Sequence, residues 1–519
     1  MKWKKHAILL LLALNYLKCD CANILGIVPA ASYSHQLAYM NLWNELSLKG
    51  HKVSVLTTDP QNNPNLTEID LSLGYKLLEE HSWSQKNIEG NSLDYLHFLS
   101  QCLCDGVDLY LNLPEVQNLI NNKTLHFDVV MVESLFAEFL VFGELFEAPT
   151  ILLASYEAPV FKHKNFQNDY HHILYPDSML PYFDATSFMG RLKIFAIQWI
   201  MQNIRAQYVP LRQNTIDKYF GNKSLPIDQL LAKSSMFFVS ASPVLLYPRA
   251  LSARTVIIGG GITIKPAKIL DKKVKKFLDA ATSGAIYFSL GSNAKSEILG
   301  NATLNGIIKV LQQLPYKVLW KFNNTNNIYK MPGNILTLPW FEQQDILRHP
   351  NIKLFITQGG MQSLEEAIYF EKPMIGIPMF ADQEANLKKL EPKGVLKLVQ
   401  SKPLQPSKLK EAILEVMGDV GYLEQIRFLN KVNLDQPMSG LEKAVWWTEY
   451  VIRHRGNVEH MIHHFAKEIS WYQYYMLDVI LVLGASIVFL ISILYFLVKF
   501  IVKRLIIGIN NRTIIKKGV

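Results

Sequence analysis

Short apolar runs rich in β-branched residues alternate along most of the chain with stretches of helical periodicity, and turn residues separate the two. That rhythm predicts parallel strands joined by crossover helices. In the first half the predicted strands are Asn23–Pro29, Val53–Thr57, Phe127–Val132, Thr150–Ala154 and Met236–Ser240. In the second half they are Ala285–Leu290, Lys317–Phe322, Ile335–Pro339, Lys353–Thr357, Met374–Pro378 and Val395–Val399. Two doubly wound α/β domains in series are expected, 23–260 and 261–475, divided where Gly259-Gly260-Gly261 leave a short hydrophobic strand. Ligands of open α/β sheets bind beyond the carboxyl ends of the strands, so the cleft between the domains is the expected site. Near the end of the second domain, Glu442–Arg455 reads as a helix with Trp446 and Tyr450 four apart, a packing stripe without chemistry.

The two ends break the rhythm. Met1-Lys2-Trp3-Lys4-Lys5, the apolar run Ala7–Leu14 and the small or polar residues near Cys19 to Ala22 are ordered like a secretory signal peptide over 1–22. Val479–Val498 is apolar for about 20 residues, enough at about 1.5 Å each to cross a hydrocarbon layer of about 30 Å. A transmembrane helix is expected over 476–498. Lys499, Lys503, Arg504, Arg512, Lys516 and Lys517 follow it, which places the tail 499–519 in the cytosol and the body in the lumen. Lys516-Lys517-Gly518-Val519 is similar to the dilysine retrieval signal, so a single-pass type I protein of the endoplasmic-reticulum membrane is expected.

Composition sharpens this in three places. With 49% hydrophobic and 19% charged residues, the 519-residue chain can bury large cores. A formal charge of +9 suggests nucleic acid until the charges are located: six lie in the tail and others in the run Lys265 to Lys276, so a nucleic-acid partner is not expected. Cys102 and Cys104, two apart, form neither a disulfide framework nor a zinc site by themselves. Sequons at Asn65, Asn122, Asn222, Asn301 and Asn323 would face the lumen; Asn511 would not. The pattern does not select between a monomer and a homo- or hetero-oligomer.

Chemistry concentrates in one block. Trp340-Phe341-Glu342-Gln343-Gln344-Asp345 leads into Phe355-Ile356-Thr357-Gln358-Gly359-Gly360, then Ser363-Leu364-Glu365-Glu366, then Pro378-Met379-Phe380-Ala381-Asp382-Gln383. Physically this is a strand ending in two glycines before a helix, which aims free backbone N–H groups and a helix dipole at an anion such as a diphosphate. Order and spacing over more than forty residues resemble the signature of the UDP-glycosyltransferase family, in the insect-like variant of its animal members.

The resemblance implies a GT-B fold, two Rossmann-like domains facing across a cleft. It also implies a UDP-sugar donor, a small lipophilic acceptor and no metal or other cofactor. Trp340 would stack on uracil, Gln343 would bond its edge, and Glu366 would accept from the ribose. Asp382 and Gln383 would hold sugar hydroxyls. Ser289, Gly291 and Ser292 form a first donor loop, and Gln358, Gly359, Gly360 and Ser363 the second. Gln358 stands where most animal relatives carry histidine, and Gln362 where asparagine is usual, which points to UDP-glucose more than UDP-glucuronate.

In the first half His35 follows strand one, where the family keeps its base, and Glu133 ends a strand where relatives carry aspartate. Asp128 starts that strand, at the wrong end, and His51 reads as structural. The implied reaction is an inverting displacement at C1 of the sugar. A second reading is a UDP-sugar-binding partner protein of the same fold with impaired chemistry, marked by Gln358 and Glu133; His35, Asp382 and Gln383 speak against it. The segments Tyr75 to Ile120 and Phe161 to Leu231, expected to face the acceptor, match no motif.

Overall fold

All the predicted strands form in the computed structural model, most of them trimmed by a residue or two. It describes residues 21–81, 92–177, 183–221, 224–292, 296–324, 328–464 and 469–516. Residues 1–20 of the expected signal sequence, Asn222 of its sequon, and Lys517 with the last two residues of the tail lie outside these residues.

The first sheet contains β1 (Asn23–Val28), β2 (Lys52–Thr57), β3 (Leu66–Asp70), β4 (Val129–Glu133), β5 (Thr150–Ala154), β6 (Met236–Val239) and β7 (Thr255–Ile257), ordered β3-β2-β1-β4-β5-β6-β7. The second contains β8 (Ala285–Ser289), β9 (Lys317–Lys321), β10 (Ile335–Leu338), β11 (Ile352–Thr357), β12 (Met374–Gly376) and β13 (Leu396–Leu398), ordered β10-β9-β8-β11-β12-β13. Every pairing is parallel. Strands β4, β5, β6 and β8 are buried throughout, as expected of parallel sheets covered by helices on both faces. Strand β3 was not predicted: at the sheet edge it keeps polar residues half-exposed, so its sequence lacks an apolar run.

The helix near residue 450 runs Gly440–Arg453, started by a capping box between Ser439 and Glu442. It buries Ala444, Val445, Thr448 and Val451, whereas Trp446 is exposed and stacks on Tyr450 at 5.4 Å. The aromatic pair is thus an outer ornament of the helix and not its packing stripe. Glu449 on this helix reaches back to the first half, 3.2 Å from Lys49 Nζ and 3.6 Å from His51 Nε2.

Both sheets belong to one body that ends at Met461, and a second body begins at Ile462. Among its described residues the second holds the short helix Trp471–Tyr474 and the long helix Leu477–Lys516, of which Leu477–Ile506 is long and apolar enough to cross a membrane. It outruns the expected 476–498 because Phe500-Ile501-Val502 and Leu505-Ile506 stay apolar between the basic residues, none of which breaks a helix.

Candidate active site

Each sheet reverses its strand order at one neighbouring pair, and the crevice at such a switch point is where doubly wound sheets hold ligands. In the first sheet that pair is β1 and β4, in register at Ile27 and Val132. The loop after Val28 and the end of β4 therefore open side by side. Helix α1 (Tyr33–Leu48) begins there behind Ser32, with His35 in its first turn. Gln36 fixes the approach, its Nε2 donating to Val28 O at 2.7 Å, Ala30 O at 2.9 Å and Thr58 Oγ1 at 2.9 Å.

His35 Nδ1 meets Oε1 of Glu133, which is 0% exposed. Ser155, the first residue after β5, donates from Oγ to the same oxygen at 3.2 Å and lies 2.8 Å from Nδ1. A carboxylate only accepts, so the imidazole proton sits on Nδ1 and Nε2 carries the lone pair. Burial alone would push the His35 pKa down; the Glu133 charge and hydrogen bond, helped by Asp382, override it and hold the group above its usual 6.5. The rival carboxylate Asp128 accepts from Asn23 N at 2.7 Å, at the far end of the sheet. His51 accepts from Ala22 N at 3.2 Å, a structural contact.

The second sheet repeats the plan. Strands β8 and β11 pair with Ser289 opposite Thr357, so the two loops expected to face the donor leave the sheet at one level. Gly291 (φ +83°) and Gly359 (φ +94°) hold left-handed turns, and a β-carbon on Gly291 would run into the Gln358 amide. Helix α2 (Met361–Tyr369) starts two residues before the expected Ser363, behind Gly360 and with no side chain capping it.

Two cavities occupy the cleft. The larger is lined by His35, Gly291, Ser292, Gln358, Gly360, Ser363, Asp382 and Gln383. The second is lined by Ser289, Gly291, Ser292, Trp340, Gln343, Ser363 and Glu366. They meet along Ser34, Gly291, Ser292, Gln362 and Ser363. Of the residues expected from the sequence to form the site, only Glu133 and Gly359 line neither, the one buried behind His35 and the other forming the turn.

Details depart from expectation. Gln343 donates to Glu366 Oε2 at 2.7 Å and Ser363 Oγ at 3.1 Å, and Gln344 donates to Glu366 Oε1 at 2.8 Å. Glu366 is thus clamped by two amides, and burial raises its pKa. Asp382 Oδ2 accepts from Asn386 Nδ2 at 2.7 Å, and Gln383 Oε1 accepts from Met379 N at 2.8 Å and Phe380 N at 3.1 Å. Trp340 is 44% exposed, with Lys321 Nζ 3.9 Å above its ring and the Tyr33 ring edge-on at 5.5 Å.

Sequence reading missed Ser155, Lys321 and the link made by Gln362, whose Nε2 donates to Ser155 O across the cleft. Lys321 Nζ donates to Gly291 O at 3.0 Å, and burial pushes its pKa down to about 8. Ser155 and Lys321 stand at or just past the carboxyl ends of β5 and β9, the rim that the switch-point rule marks.

Residues 24–513 match the protein family described as UDP-glucoronosyl and UDP-glucosyl transferase. The chain belongs to this family. It is 32% identical over 502 residues to UDP-glucosyltransferase 2 of Dactylopius coccus, covering 93% of either chain. It is 27% identical over 523 residues to UDP-glucuronosyltransferase 2B7 of Homo sapiens, covering 95% of this chain and 96% of that one. Among solved structures, the kitacinnamycin glycotransferase superposes with a TM-score of 0.56 at 14% identity, covering 83% of this chain and 99% of the other. The glycosyltransferase VinC in complex with dTDP gives 0.54 at 13%, covering 84% and 99%. The fold of this UDP-glycosyltransferase is therefore GT-B, and the family implies a UDP-sugar as donor.

Proposed function

We propose that this UDP-glycosyltransferase moves a hexose, glucose in preference to glucuronate, onto a hydroxyl of small lipophilic acceptors and inverts the anomeric carbon. The observation that carries the reading is the His35–Glu133 pair, set in a cavity that the donor loops share. The acceptor oxygen attacks C1 of the sugar as its proton passes to His35 Nε2, and the bond from C1 to UDP breaks on the opposite side. Glu133 steadies the imidazolium that forms. The departing diphosphate faces the backbone of Gly359-Gly360 and the start of α2, where N–H dipoles stabilise its charge. Trp340, Gln343 and Glu366 hold the nucleoside, Asp382 and Gln383 the sugar; no resident metal is assigned. The apolar wall of Leu77, Leu78, Leu99, Leu103 and Phe136 supports a lipophilic acceptor.

The reading also keeps the body in the lumen of the endoplasmic reticulum, with the helix Leu477–Lys516 as anchor and the terminal lysines as retrieval signal. One experiment tests both parts: microsomes bearing the full chain receive UDP-glucose and a simple phenol. The expected product is the β-glucoside, formed faster once detergent opens the vesicles and unaffected by protease outside intact ones. An α-glucoside, or no glycoside from any UDP-sugar, overturns the reaction. Loss of activity to external protease overturns the placement.

Glu133→Gln gives the pH dependence its sign. Because Glu133 raises the His35 pKa, the acid limb of kcat/KM in the wild type lies above pH 6.5, where the base becomes neutral. Removing the charge moves that limb to lower pH while kcat falls less than on losing His35. A limb that stays in place shows that another group titrates.

A further inference from the structure

Beyond the cavity at His35 lies a second chamber in the same half of the molecule. The two are close in size, about 210 and 190 Å³, and share Leu99, Leu103, Leu135 and Tyr156 as walls. Tyr156 itself packs its ring 5.9 Å from the His35 ring. The far chamber is mostly apolar, with Met201 and Ile204 contributed by the long helix Phe188–Phe220. Three cationic side chains enter it: Lys162, Arg205 and Arg212.

Two of these are balanced. Arg212 pairs with Glu138, and Arg205 Nη2 lies 2.6 Å from Asp228 Oδ1. Asp177, also in the chamber wall, acts on Arg249, and His172 has its pKa lowered by burial and by His171 and Lys164, which favours the neutral ring. Lys162 differs. It sits on the short helix Val160–Asn165, seven residues after Ser155, and is 6% exposed. Among the described residues its ammonium has no hydrogen bond or ion pair, only the Phe161 ring 5.2 Å away. Burial first, then the Arg205 charge, pushes its pKa down to about 7, and the Asp228 charge, already paired with Arg205, opposes this only in part. An unpaired buried lysine lowers stability unless something brings it an anion.

We propose that this chamber takes the far end of an elongated lipophilic acceptor and that Lys162 meets a carboxylate there. The acceptor would present its hydroxyl to His35, run its apolar middle past Leu99, Leu103 and Leu135, and end on Lys162. A hydroxylated fatty acid has this layout. The inference rests on the His35 cavity being the acceptor site, as proposed above.

The test compares 12-hydroxydodecanoate with its methyl ester for binding to the full chain in lipid nanodiscs, with glucosylation of a simple phenol measured alongside. The acid is expected to bind at least ~10-fold more tightly than the ester, a gap of about 1.4 kcal/mol. Lys162→Met should reduce the ratio to about one and Lys162→Arg should keep it, with UDP binding reporting that each variant is folded. Equal wild-type affinities for acid and ester, or a preference that survives in Lys162→Met, overturn the proposal. Should a variant fail to fold, the wild-type ratio alone decides. Tight acid binding without turnover of any hydroxyl would keep the Lys162 site and overturn the catalytic reading; phenol turnover with no acid preference would do the reverse.

Discussion

His35→Ala lowers kcat by about 10²-fold or more while UDP affinity stays near that of the wild type. The first half of that expectation follows from Nε2 being the nitrogen left free once Nδ1 is held by Glu133, so the ring is the proton acceptor facing the larger cavity. The second half follows from where the nucleoside-holding residues stand. Trp340, Gln343 and Glu366 line the other cavity, which His35 does not enter. Removing the imidazole also leaves Glu133 buried without its main partner, so the variant loses some stability as well as rate. Steady-state kinetics with a phenol, UDP titration and a thermal melt separate the three effects. Turnover near the wild-type rate in a folded variant would remove His35 from the mechanism.

UDP-glucose is expected to be used at least ~10-fold better than UDP-glucuronate in kcat/KM, a difference of about 1.4 kcal/mol. Glucuronate carries a carboxylate that needs a cation, and a buried carboxylate without one costs on the order of several kcal/mol. Lys and Arg do line the cleft, but on the other side: Lys265, Lys268, Lys321 and Arg348 surround the cavity that holds Trp340. Among the described residues lining the cavity at His35 there is no Lys or Arg, and Asp382 there would repel a second carboxylate. Equal concentrations of the two donors, with products identified by mass, decide it. Mostly glucuronide would overturn the donor choice and leave the GT-B fold and the His35–Glu133 geometry standing.

Much of this was legible because the donor block is local. A strand, two glycines and a helix lie within a short stretch of chain, so Gln358 to Glu366 could be placed on one crevice without knowing the rest of the fold. His35 and Glu133 were singled out through the family resemblance, the one in the first turn of the helix after strand one and the other at the end of β4. Ser155 and Lys321 were not, since each reaches the site through strand order, which periodicity does not encode. The tail helix was underestimated because isolated lysines mark the end of an apolar run more clearly than the end of a helix. Trp446 misled for the opposite reason: four-residue spacing puts two rings on one face but says nothing about which way that face points.

The bond from Gln362 to the carbonyl of Ser155 gives that serine two listeners. Its hydroxyl addresses the Glu133 oxygen that orients the imidazole, and its backbone oxygen is read by the donor half. A cleft that opens loses the second contact at the residue that supplies the first. Ser155 thus joins two contacts at one point in the chain, the hydrogen bond that steadies Glu133 beside the imidazole and the hydrogen bond that ties the second half to the first.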